Sequence, residues 1–272
     1  MKSTPKNNIA SLIIPRVADS HKGNYGHTLL IAGSLGKMGA AVIAAKACLR
    51  SGTGLLTVNT PKDERVILQT SIPEAMIQMR TLKKQDLSSF TVIAIGPGIG
   101  IDKESRRIVE ITLHNYTKPM VLDADALNII AANKKLFNKI PKGSIITPHI
   151  KEFDRLFGDH ELIEQRIETA IKVATEFELV VVLKGHHTIV TDAGEVYTNT
   201  TGNAGLAKGG SGDALTGMIA ALLTQGYDSF TAARLGVYLH GLSADIALEK
   251  QSMESLLITD VIECIGGAFR KG

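Results

Sequence analysis

Short apolar runs that end in glycine alternate along the chain with longer runs whose apolar residues recur every three or four positions. HTLLIAG (27–33) is the first of the short kind. MGAAVIAAKACLRSG (38–52) is the first of the long kind and closes on its own glycine. GLLTVNT (54–60), FTVIAIGPG (90–98), PMVLDADALN (119–128), SIITPH (144–149) and ELVVVLKG (178–185) continue the strand-like series. The stretch from Lys103 to Asn115 and ELIEQRIETAIKVATEF (161–177) continue the helical one. Several short runs are apolar throughout rather than alternately, as expected of strands covered on both faces. Strands alternating with helices predict right-handed crossovers, and so an α/β fold with a mainly parallel central sheet flanked by helices on both faces. HTIVTDAGEVYTNT (187–200) departs from this, because two β-rich runs around Asp192-Ala193-Gly194 predict one β-hairpin. Beyond it the pattern is helical over 211–224, 228–249 and 259–268. With no fixed-period repeat and no linker-like segment, residues 1–272 read as a single domain.

Composition narrows the function classes. Hydrophobic residues make up 44% and charged ones 21%, ordinary values for a chain that buries a sizeable core. Net charge is +3, Lys and Arg cluster no further than pairs such as Lys83-Lys84, and there is no Trp, which argues against a nucleic-acid surface. No apolar run reaches the length of a membrane span. The N-terminal apolar segment stops at Pro15, too short for a signal-peptide core. Cys48 and Cys264 lie far apart without His or Cys at ligand spacing, and read as small hydrophobes in a reducing compartment. The cytoplasm is the expected location.

The chemistry concentrates where strands lead into helices, the ligand-binding edge of an open parallel sheet. AGSLGKMG, GPGIG and LKG follow three strand candidates, and the acidic DAD follows Leu122. Each is explicable as turn chemistry, but several at one edge predict a cleft. Two nucleotide motifs fail. Met38 stands where a P-loop needs Ser or Thr after the lysine, and Ile101 ends the match of GPGIG to a dinucleotide-binding turn. The small residues of GAAVIAAKA fit either close packing or close approach of a ligand. The strongest signal is GLAKGGSGDALTG (205–217). Glycines at a helix start leave backbone amides uncovered at the positive end of the dipole, a grip for phosphate. Asp213 is the odd member, since a carboxylate repels phosphate. Either it serves the helix dipole, or it is a general base that takes a proton from a hydroxyl attacking the bound phosphoryl group.

GGSGD opening a late helix resembles the anion hole of the ribokinase-like superfamily. The blocks GNYGHTLLIAGSLGKMGAAVIAAKACLRSGTGLLTV, AIGPGIG, VLDADALN, TPHIKEF, VVLKGHHTIV and GNAGLAKGGSGDALTGMIAALLTQG, in this order, are similar to the ADP/ATP-dependent NAD(P)H-hydrate dehydratases, over roughly residues 20 to 250. The resemblance implies a ribokinase-like fold and a lyase of metabolite repair. Such an enzyme phosphorylates the ring hydroxyl of (6S)-NADHX or NADPHX with ADP or ATP and eliminates phosphate to restore NADH or NADPH. It implies Asp213 as the base beside the hydrate. It places nucleotide binding on Lys184, Gly185, His186, His187 and Thr188, with the anion hole on Gly209, Gly210, Ser211 and Gly212. Hydrate contacts would fall on Ala41, Gly100 and His149, besides Asp213. Asn128 and Glu152 would be water-mediated partners of a nucleotide-bound Mg²⁺. A homotetramer is the implied assembly.

Some positions stay open at this stage. Lys184 is either a phosphate partner or a solvated lysine, and Asp125 either part of a polar cluster with Asp123 or a helix N-cap. Lys208 departs from the small polar residue usual before the glycine pair, and either assists phosphate or points to solvent. Preference between ADP and ATP leans to ADP, and NADHX and NADPHX are not distinguished. The sequence shows no counterpart of the epimerase domain found before this one in many bacterial relatives, and if the two hydrate epimers are interconverted, another polypeptide is expected to do it. The competing readings are a ribokinase-like kinase of a small vitamin alcohol and a nucleotide-binding regulator without turnover.

Overall fold

The structure, a computed structural model, describes residues 9–83 and 85–271; Lys84 and the first eight residues of the N-terminal segment lie outside them. One sheet of nine strands runs through the molecule in the order β3-β2-β1-β4-β5-β6-β7-β8-β9. Its strands are β1 (His27–Ile31), β2 (Leu55–Thr60), β3 (Met76–Met79), β4 (Val92–Ile95), β5 (Val121–Leu122), β6 (Ile145–Ile146), β7 (Val180–Leu183), β8 (Ile189–Thr191) and β9 (Val196–Thr198). All pairs from β3 to β7 are parallel, and β8 and β9 join as the antiparallel hairpin expected from the sequence. From β1 the chain moves outward to β2 and β3, then returns to β4 on the other side of β1. The sheet's switch point therefore lies between β1 and β4, and ligands of such sheets bind beyond the strand ends there.

Helices α1 (Met38–Arg50), α2 (Arg65–Ser71), α3 (Lys103–Asn115), α4 (Ala124–Ala132), α5 (Ile150–Phe157) and α6 (Ile163–Phe177) lie in the crossovers. Helices α7 (Ser211–Thr224), α8 (Ser229–Ala247), α9 (Ile258–Glu263) and α10 (Ile265–Lys271) follow the hairpin. Successive strand residues point to opposite faces, so neighbours feed different cores. Leu30 and Val182 pack with α1, α7 and α8, whereas Leu29, Val181 and Leu183 pack with α3 to α6. This double coverage is the reason the strands read as continuously apolar.

Helix α7 is buried on all sides from Ala214 to Thr224. Its neighbour α1 approaches so closely that a Cβ at Gly217 would lie 2.1 Å from the carbonyl oxygen of Ala44. Ala41, Ala44, Ala45 and Ala47 are fully buried. The small residues of GAAVIAAKA are therefore explained by helix packing.

Two elements differ from the sequence expectation by their presence, since α2 and β3 carry no clear periodic signal. Strand β3 is an edge strand with Met76 and Met79 exposed, so half-burial never imposed an apolar run on it. The runs at 119–128 and 144–149 contribute only two strand residues each, because the chain turns at once into α4 and α5. The final helix divides at Cys264 into α9 and α10.

Candidate active site

The glycine-rich turn enters α7 through a left-handed N-cap, Gly210 at φ 95°, where a Cβ would also lie 2.6 Å from Ile43 Cδ1. Only glycine fits both the backbone and the space. Ser211, Gly212 and Asp213 form the first turn, where backbone amides lack helical partners. A Cβ at Gly209 would meet open space, so that residue keeps the approach to the turn uncovered.

Two strand ends close around this turn. Lys184 follows β7, its amide donating to Pro148 O at 2.9 Å, and bridges in parallel to His149. Its side chain is 18% exposed, and Nζ lies 2.7 Å from Asp123 Oδ1. It is thus a half-buried, paired lysine rather than a freely solvated one. Asp123, 1% exposed at the end of β5, also accepts a 2.7 Å bond at Oδ2 from Thr216 Oγ1 on α7. A Cβ at Gly212 would stand 3.2 Å from Lys184 Nζ and 3.8 Å from Asp123 Oδ2. The ammonium therefore rests directly against the first turn of α7.

Asp213 shares that turn under different terms. Among the described residues it takes no hydrogen-bond or ion-pair partner. Burial, and then the neighbouring Asp123, push its carboxyl up to about 6; Lys184 opposes the shift, and Asp125 and Glu152 add to it. A carboxyl poised near neutrality in a phosphate-binding turn has the character of a general base.

The other loops of this edge are braced by their own polar contacts. Asp123 occupies the N-cap position of α4 without a side-chain capping bond, and Ala124 follows with φ at 49°, a left-handed conformation uncommon for alanine. Asp125 is therefore not the cap; its Oδ2 accepts from the Gly100 amide at 2.8 Å, tying the GPGIG loop to α4. A Cβ at Gly96 would fall 1.8 Å from Asp123 O, so that glycine exists for backbone contact. His149 caps α5, its Nδ1 accepting from the amides of Lys151 (3.1 Å) and Glu152 (3.3 Å). Glu152 Oε2 accepts from His149 N at 2.9 Å, completing a reciprocal capping box.

Several of the predicted site residues are engaged by neighbours of their own. The Ala41 side chain is fully buried beside Gly33, so any contact with a ligand is not through its methyl group. Asn128 Oδ1 accepts from the Arg155 guanidinium, which holds α4 to α5. Glu152 is occupied by the cap. Neither forms part of a chelating set, and no group of three His, Cys, Asp or Glu among the described residues is placed to hold a metal ion. Lys208 is exposed, and its Nζ donates to Glu254 O at 2.5 Å and Leu256 O at 2.7 Å, lashing the glycine loop to the segment before α9. His186 and His187 stand on the turn after β7 with ring centroids 4.4 Å apart. Thr188 closes that turn onto Gly185 O, and a Cβ at Gly185 would stand in ordinary contact with His187 O at 3.9 Å.

Sequence reasoning missed three residues. Thr216 lies four residues beyond Gly212, hidden in an apolar helix pattern. Asp245 on α8 accepts from Gly202 N (2.8 Å) and Asn203 Nδ2 (2.9 Å), and so holds the GNAG lead-in. His240, one turn earlier on α8, is buried with no partner for Nε2, and burial lowers its imidazole to about 4. Only the first had a usable signal, its helical spacing from the glycine turn.

Residues 28–266 match the family model described as NAD(P)H-hydrate dehydratase. The chain is 37% identical over 271 residues to the bifunctional NAD(P)H-hydrate repair enzyme of Moorella thermoacetica, an alignment covering 94% of this chain and 51% of that one. It thus spans about half the length of the curated relatives of that kind. It is also similar to a solved ADP/ATP-dependent NAD(P)H-hydrate dehydratase of Bacillus subtilis co-crystallised with ATP/Mg²⁺, with 35% identity, TM-score 0.88, and 97% and 95% of the two chains covered. A ribokinase of Thermotoga maritima, at 14% identity and TM-score 0.53 over 91% of this chain and 99% of its own, shares the ribokinase-like fold.

Proposed function

The chain belongs to the NAD(P)H-hydrate dehydratase family, and from that premise we propose that it restores NADH and NADPH from their (6S)-hydrates with ADP or ATP as phosphoryl donor. The observation that carries this reading is the unpartnered Asp213 carboxylate in the same helical turn as the uncovered glycine amides. Asp213 takes the proton of the ring hydroxyl, and the oxygen attacks the terminal phosphoryl group, whose bond to the bridging oxygen breaks to release AMP from ADP or ADP from ATP. The turn from Gly209 to Gly212 and the Lys184 ammonium neutralise charge as it develops on the transferred group. The ring nitrogen then expels phosphate by breaking the C–O bond, and loss of a proton from the adjacent ring carbon restores the double bond. Phosphorylation makes this possible because phosphate leaves far more readily than hydroxide.

The nucleotide is read onto the turn from Lys184 to Thr188, and the hydrate onto the edge formed by Gly100 and His149. Mg²⁺ supplies charge neutralisation for the nucleotide phosphates. The donor set favours an ion carried by those phosphates with its water shell, since Asn128 and Glu152 are already engaged. One domain is the reading supported by a single sheet with a core on each face. Assembly with further copies, as in a tetramer, is supported by exposed Val66 and Ile67 on α2 and by exposed Met76 and Met79 on the edge strand β3. Two free cysteines support a reducing, cytoplasmic setting.

The test is direct. Purified protein, NADH-hydrate or NADPH-hydrate, Mg²⁺ and either nucleotide are combined, and the near-ultraviolet absorbance of the dihydronicotinamide ring is followed. Nucleotide-dependent recovery, faster with ADP, is expected. No recovery from protein that binds ADP would overturn the assignment, and transfer of phosphate to a small alcohol would establish the kinase reading instead.

A further inference from the structure

Three other carboxylates act on Asp213 of α7, namely Asp123 after β5, Asp125 on α4 and Glu152 on α5, together with the Lys184 ammonium, which is paired with Asp123. Asp125 is held by the Gly100 amide and Glu152 by the amide of His149. The choice for the ammonium is thus between Asp123 and Asp213. Asp123 has the advantage of a fixed orientation, because the fully buried Thr216 hydroxyl bonds one oxygen and leaves the other facing Lys184. Burying Asp123 without a counter-charge would cost more than leaving the less buried Asp213 unpaired.

We propose that Asp123 is a positioning residue, whose carboxylate, oriented by Thr216, holds the Lys184 ammonium against the Gly212 turn and away from Asp213, so that the base keeps no counter-ion. This rests on the reading of Asp213 as general base. The device separates two tasks that one cation would otherwise confuse. Lys184 serves the phosphoryl group, while Asp213 remains free to accept a proton. The balance of charges agrees in direction, since Asp123 raises the Asp213 carboxyl and Lys184 lowers it. Removing Asp123's charge withdraws the first influence and frees Lys184 to strengthen the second.

The decisive variants are Asp123→Asn and Thr216→Val, with Thr216→Ser as the conservative control. In Asp123→Asn the acid limb of the pH–rate profile is expected to move to lower pH, and the plateau rate to fall by about tenfold or more as Lys184 pairs with the base. Thr216→Val should shift the limb less in the same direction, and Thr216→Ser should restore it. Lys184→Met should move it the opposite way. A second readout needs no turnover: the difference in unfolding midpoint between a protein and its Asp213→Asn derivative, followed against pH, reports the titration of Asp213. With Asp123 present that difference should develop as pH rises towards about 6. In the Asp123→Asn background it should be complete at lower pH or reverse in sign.

Loss of activity in Asp123→Asn and Thr216→Val with both readouts unmoved would reduce Asp123 to a structural residue and overturn the proposal. If Asp123→Asn fails to fold, Thr216→Val alone decides by the same criterion. Full activity in Asp213→Asn would instead overturn the general-base reading, and the unfolding titration would still show whether Asp123 governs Lys184.

Discussion

Helix α7 starts in one buried polar cluster and stops in another, and the two are built on opposite terms. At its carboxyl end the Thr224 hydroxyl meets Thr28 at 2.8 Å, and Thr28 meets Thr53 at 2.9 Å, three hydroxyls that satisfy one another beneath the sheet. At its amino end Thr216 and Lys184 satisfy Asp123, yet Asp213 beside them is left with nothing. A satisfied network fastens a helix; an unsatisfied acid stores reactivity at a cost in stability. Substitutions of similar size should therefore have opposite consequences at the two ends.

The largest effect is expected on activity. Asp213→Asn should lower turnover by about a thousandfold, within the range for loss of a positioned base, while calorimetry shows ADP binding changed only a few-fold. Near-normal turnover would erase the distinction between the two ends. Gly217→Ala comes next, because its Cβ would meet backbone rather than a movable side chain, 2.1 Å from Ala44 O. Denaturant unfolding should show a loss of about 3 kcal/mol, the upper range for overpacking.

The same Asp213→Asn variant should be more stable than the parent near neutral pH. Asp213 holds its proton more tightly folded than unfolded, so its folded-state advantage exists below its ordinary value of 3.8 and is lost as pH rises to about 6. That shift corresponds to at most roughly 3 kcal/mol, and with the carboxyl still partly exposed the variant should gain about 1–2 kcal/mol above pH 6. Below pH 4 the gain should vanish, and parental turnover should climb through the same window. Thr28→Val at the closed end should do the reverse. Leaving the Thr53 and Thr224 hydroxyls short of a partner should cost about 1–2 kcal/mol with little dependence on pH.

The legible parts of this molecule are those whose cause is local. Strands β1, β4 and β7 show in the sequence because burial on both faces demands nearly continuous apolar residues, and Gly33, Gly96 and Gly185 mark where they end. The anion-binding turn shows because GGSGD carries its conformation and its chemistry within five residues. Strand β3 is hidden by its position at the sheet edge. The bonds from Asp123 to Lys184 and to Thr216 span 61 and 93 positions, and no local pattern records such a pairing. Lys208 illustrates the same limit. Its neighbours in sequence left phosphate and solvent as alternatives, and the carbonyls it satisfies arrive from 46 and 48 residues away.

The backbone contact of Gly217 with Ala44 also makes α7 a lever with a fixed fulcrum. Asp213 lies four residues from that point, about 6 Å along the axis at the rise of an α-helix. A tilt of roughly 10° about the fulcrum would swing the carboxylate by about 1 Å, a misplacement able to cost about a hundredfold in rate. Helix α1, which grows out of the first glycine loop, thereby gauges the aim of a base on a helix nearly 170 residues later in the chain.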